Sequence, residues 1–113
     1  MTKYLISFPS SAMVLSAEEL QEASDDSRAV VREAKAAGVW VFGGGIDESV
    51  SPMVVDRHGA VTEGAYADTT ELNGGYAVLE LPTREVALEW AAKLAAACRC
   101  AQEVRAFHDD PES

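Results

Sequence analysis

The alternation of apolar and polar positions divides the chain into two similar halves. "KYLISF" (Lys3 to Phe8) is a compact apolar and aromatic run ended by Pro9, the pattern of a buried strand. Ser16 stands three residues before Glu19. That is the capping-box spacing, in which hydroxyl and carboxylate each satisfy an unpaired backbone donor, so a helix is expected to begin at Ala17. Leu20, Ala23, Ser27, Val30, Val31, Ala34 and Ala37 then recur at helical spacing, leaving Glu22, Asp25, Arg28, Arg32 and Lys35 on other faces. The weak helix formers Ser24 to Ser27 allow a bend near the middle, and Gly38 suits the left-handed residue that ends the helix.

"VWVFGGG" (Val39 to Gly45) has the β-branched and aromatic enrichment of a second strand, with glycines that permit a bend or a close backbone approach. "MVVDRHGAV" sets Asp56, Arg57, His58 and Gly59 between two apolar pairs, the composition of a hairpin whose Gly59 takes positive φ. "GYAVLEL" (Gly75 to Leu81) is again a buried strand followed by proline, and Thr83 offers the cap of a second helix. Val86, Ala87, Trp90, Ala91, Leu94 and Cys98 share one face of that helix, and Ala101 to Phe107 can close the chain as a last strand before a polar tail, His108 to Ser113.

The order is strand, helix, strand, inserted hairpin, strand, helix, strand. Two such split units predict an α+β ferredoxin-like (split βαβ) sandwich, with an antiparallel sheet carrying both helices on one face. The other face would be left in water, so dimerisation through it is expected.

The length of 113 residues suits one domain over 1–113. Hydrophobic residues at 48% and charged residues at 25% describe a chain that folds. The formal charge of -10 repels phosphate backbones and anionic lipid, which argues against nucleic acid or a membrane surface as partner. It is compatible with a basic protein partner or a cationic ligand, and equally with a solvated acidic surface. The apolar run from Tyr4 to Phe8 is too short for a signal peptide or a span, so a cytoplasmic location is the expectation. Cys98 and Cys100 lack the second ligand pair of a zinc site and the spacing of a secreted disulfide scaffold.

The densest chemistry lies in "TEGAYADTTELNGGYAVLELPTREVALEWAAKL" (Thr62 to Leu94). This run resembles the YCII-related, or DGPF-domain, family, whose signature DGPFAETKE is followed by a Gly-Gly-Tyr strand and a helix like "ALEWAAK". Glu63 to Glu71 aligns with that nonapeptide. Gly64, Ala67, Thr69 and Glu71 agree outright, while Glu63, Tyr66 and Asp68 are conservative changes. Ala65 and Thr70 replace the proline and lysine, which loosens the turn and removes a partner for Glu71 or a bound anion. "KYLISF" and "AAGVWVFGGG" are also similar to the family. The resemblance implies a dimeric α/β-barrel-like assembly of ferredoxin-like subunits with a cleft near the signature. It also implies a sigma factor as one candidate partner, since some DGPF-branch members look like companions of such factors. A related branch has a histidine and aspartate pair suspected of enzymatic work, which has no counterpart in this sequence: His58 lies in the hairpin turn and His108 in the tail.

On this reading the chain is a dimeric small-ligand-binding or regulatory accessory protein. The alternative is a small cofactor-independent isomerase or lyase. Asp68 or Glu71 would move a proton and Tyr66 orient the substrate, with Glu63, Gly64, Gly74 and Gly75 shaping the ligand site. Carboxylates gathered in a cleft raise one another's pKa, which can create a general acid or base. The structural alternative is that Gly64 makes a turn, Tyr66 fills the core or a dimer seam, and the acids lie in solvent. Asp68 and Glu71 lack a third protein ligand for a metal, and neither Gly74-Gly75 nor Gly43 to Gly45 completes a nucleotide-binding pattern, so no metal or cofactor is expected. Ser10 and Ser11 have no base or oxyanion arrangement.

Overall fold

The computed structural model describes residues 1–113. In chain order it contains β1 (Thr2–Phe8), α1 (Ala17–Ala36), β2 (Trp40–Gly45), β3 (Met53–Val55), β4 (Val61–Glu63), β5 (Gly75–Leu81), α2 (Arg84–Cys98) and β6 (Glu103–Ala106), with short 3-10 turns at Ser10–Ala12 and Ala67–Thr69. The fold is α+β, with an antiparallel sheet in the order β2-β5-β1-β6 and a separate β3-β4 ribbon. This arrangement is compatible with a ferredoxin-like fold.

Local chemistry fixes the helix ends. Both halves of the capping box form at the start of α1: Glu19 N–H donates to Ser16 Oγ and Ser16 N–H to the Glu19 carboxylate. The Thr83 hydroxyl accepts from Val86 N–H at the start of α2. Gly38 follows α1 at φ +75, and the Asp56 carboxylate accepts from His58 and Ala60 N–H to close the hairpin. The run of weak helix formers in the middle of α1 does not interrupt it; the helix continues for 20 residues.

Strand alternation decides what is covered. Tyr4 and Ile6 of β1 and Ala77, Leu79 and Leu81 of β5 point to the helices and are buried. Ala34, Ala87, Ala91 and Leu94 close over them, forming one core. The opposite face has no cover within the chain. Strand register places Phe42, Val78, Leu5 and Arg105 in a row across it. A bulge at Val41 puts Phe42 there: strict alternation would have sent it to the core side with Trp40, whereas the extra residue turns it over and leaves it 66% exposed.

Candidate functional site

Two clefts hold candidate residues in their walls. The larger, about 790 Å³, lies between α1 and the helix-facing side of the sheet. It exists because that end of the sheet lacks side chains. Register places Gly43 beside Ala77 and Gly45 beside Gly75 on the core-facing side, and α1 faces them with Ala23, Ser24 and Ser27. Leu20, expected on the buried face of α1, is 50% exposed because it overhangs this space.

The floor is held tightly in place. A Cβ on Gly74, whose φ is +79, would lie 2.1 Å from the carbonyl oxygen of Phe8, so backbone approaches backbone where only hydrogen fits. A Cβ on Gly43 would meet the Trp40 indole at 2.4 Å, so this glycine gives Trp40 its seat against the sheet. Ser10 ties the wall to both sides: its N–H donates to Asn73 Oδ1 at 2.9 Å and its hydroxyl to Glu48 Oε2 at 2.7 Å. A carboxylate is too weak a base to make that hydroxyl a nucleophile without further help.

The charges around the larger cleft are sorted by α1. One flank of the helix carries Glu22, Asp26 and Glu33, which pair with Arg99 and Lys93 of the α2 side; Asp26 and Arg99 approach to 3.0 Å. The other flank carries Leu20, Ser24, Arg28, Val31 and Lys35, three or four residues apart, and all five line the cleft. Cys98 closes the inner wall. Its burial, and then the neighbouring Cys100, push its thiol pKa up, so it is held as the neutral thiol.

The smaller cleft, about 630 Å³, lies between the β3-β4 ribbon and the loop after it. Gly64 and Tyr66 of the signature segment line it with Met53, Val55, Leu72 and Asp47. The Ser49 hydroxyl and N–H both donate to Asp47 and hold its carboxyl below the usual range. The apolar members are open to water: Tyr66 is 71% exposed and Leu72 62%.

The candidate site residues are thus divided between the clefts. Gly74 and Gly75 shape the floor of the larger one, and Gly64 and Tyr66 line the smaller. Glu63, Asp68 and Glu71 are exposed and line neither, and Tyr66 fills no core. No three His, Cys, Asp or Glu side chains come together as a metal-ligand set.

The family model for the YCII-related domain matches residues 2–107. The chain belongs to the YCII-related domain family. No curated protein matches it. Within this YCII-related chain the segment from Glu63 to Gly75 does two jobs: its first part builds the outer cleft, and its closing glycines floor the inner one. Arg28, Lys35 and Leu94 also line the inner cleft, although the sequence placed them only on helix faces and in no site. The signal that could have found the cations was the stripe of Leu20, Ser24, Arg28, Val31 and Lys35, which shares Leu20 and Val31 with the apolar face of α1.

Proposed function

We propose that this YCII-related protein is a homodimeric binder of a small molecule, held in the cleft between α1 and the sheet. The observation that carries the reading is the glycine floor. A volume of about 790 Å³ is within the range of small-molecule sites, and it lies beside the core, where a ligand's apolar part loses most contact with water. A thermal-shift screen with small acids, lactones and aromatics tests it. At least one class should raise the midpoint in proportion to concentration, and a flat response across all classes would count against a ligand role.

Surface area favours the dimer. The chain exposes 7851 Å², against roughly 6,000 Å² for a compact monomer of this mass. Its radius of gyration of 15.7 Å also exceeds the roughly 13 Å of a compact chain. The excess is more than the roughly 800 Å² that each partner buries in a standard interface. The row of Phe42, Val78 and Leu5 on the uncovered sheet face, with the apolar ribbon around Met53, Val55 and Val61, suits a second copy. Light scattering at micromolar concentration should give twice the chain mass. Phe42→Asp should return it to one chain at little cost to the subunit, because Phe42 is already exposed.

A regulatory use of the dimer is supported by the acids on the outward parts of α1, Glu18, Glu19 and Asp25, which suit a basic protein surface such as that of a sigma factor. Capture of such a partner should weaken as salt rises, and salt-independent capture would speak against it.

A further inference from the structure

We infer that the cleft between α1 and the sheet selects an amphipathic anion, a small carboxylate with an aromatic or aliphatic body, through Arg28 and Lys35. This rests on the reading of that cleft as the ligand site. The chain has 19 acidic and nine basic side chains, yet the charged residues lining the cleft are Arg28 and Lys35, with no carboxylate among them.

The sorting is a property of the helix. Glu22, Asp26 and Glu33 on the α2 flank of α1 each pair with Arg99 or Lys93. Arg28 and Lys35, seven residues apart on the cleft flank, make no ion pair with any carboxylate of the chain. Arg28 and Lys35 are exposed at the rim of the cleft, where two cations without an ion-pair partner favour an anion, and a guanidinium can grip a carboxylate through two parallel hydrogen bonds. Below them the cavity is apolar, with Trp40, Val31, Leu94 and Met13 around the glycine floor. A ligand carrying its charge at one end and an apolar body at the other satisfies both parts. A dianion with charges at both ends would leave one charge among Leu94, Ile6 and Ala77 without a partner, which is costly.

The net charge of -10 works against any anion at long range, but that field is screened within about 8 Å at physiological salt, whereas the two cations act at contact. A larger share of binding should therefore depend on Arg28 and Lys35 than in a neutral protein.

The test is calorimetric titration of the wild-type protein with benzoate, 2-naphthoate and octanoate, and with the corresponding neutral amides. It is repeated on Arg28→Gln/Lys35→Gln and on Arg32→Gln, which removes a cation of α1 that lies outside the cleft lining. At least one acid should bind about tenfold or more tighter than its amide. The double variant should lose that preference while keeping amide binding, and Arg32→Gln should behave as wild type. Equal affinity for acid and amide, or equal losses in the double variant and the control, overturns the anion assignment and leaves the ligand cleft standing. Silence from all acids and all amides overturns both.

Discussion

The two clefts differ in how they are made. The inner one is a space left where side chains are missing: Gly43, Gly45, Gly75 and Ala77 floor it, and the core around Leu79 and Leu81 keeps its walls in place. The outer one is a groove between a two-stranded ribbon and a loop, its apolar residues Met53, Val55, Tyr66 and Leu72 each more than half exposed. An isolated two-stranded ribbon is marginal alone, so that region gains most from being covered by another chain. The difference teaches that the stretch richest in motif residues shapes backbone, while the space fit for a ligand comes from absence. It also separates net charge from local charge: an acidic protein has a cleft whose charged lining residues, Arg28 and Lys35, are both cations.

The contrast can be broken most severely at its shared boundary. Gly74→Ala forces a Cβ into the Phe8 carbonyl at a positive φ, so a loss of about 3 kcal/mol or more is expected in urea unfolding. Because the displaced atoms are backbone, no rotamer change can relieve the clash. A cost under about 1 kcal/mol would show that the floor is not rigidly set.

Filling the inner cleft sharpens the contrast with less damage. Ser24→Trp projects an indole from the cleft flank of α1 into the space above the glycines. Ligand-induced stabilisation should vanish, while unfolding of the free protein changes by about 1 kcal/mol or less. Retained ligand stabilisation would move the binding site elsewhere, with the outer cleft first in line.

The smallest effect is a pH dependence. The folded-state pKa of Cys98 is raised above its ordinary 9.0. Its contribution to stability is therefore complete below that value and is lost as pH rises through the raised one. At pH 8, iodoacetamide should modify Cys98 more slowly than in the unfolded chain, by about tenfold or more. Ligand should slow it further because Cys98 lines the inner cleft, whereas Cys100, outside that lining, serves as the reference. Equal protection of both thiols would mean general rigidification instead.

Much of the fold was legible in the sequence because local chemistry encodes it. The capping box placed the start of α1 at Ala17, Thr83 capped α2, and the apolar run Gly75 to Leu81 marked β5 at the bounds observed. The bulge at Val41 was not legible, since a slip of register depends on the partner strand, and with it went the position of Phe42. The inner cleft was hidden for a related reason. Glycines two apart on β2 look like a bend until β5 brings Gly75 and Ala77 alongside them. In the signature, Gly64 and Gly74 were readable as backbone devices and have φ of +119 and +79. The acids Glu63, Asp68 and Glu71 drew notice by type, but nothing in their spacing says which way an exposed side chain faces.

The most direct measurement is a backbone amide NMR titration of the isotope-labelled protein with the acid that binds best. Shifts concentrated at Gly43 to Gly45, Gly74 to Ala77 and Ser24 to Lys35 are the expected result. Shifts confined to Met53 to Val55 and Gly64 to Thr70, with the glycine floor silent, would contradict the assignment of the inner cleft as the binding site.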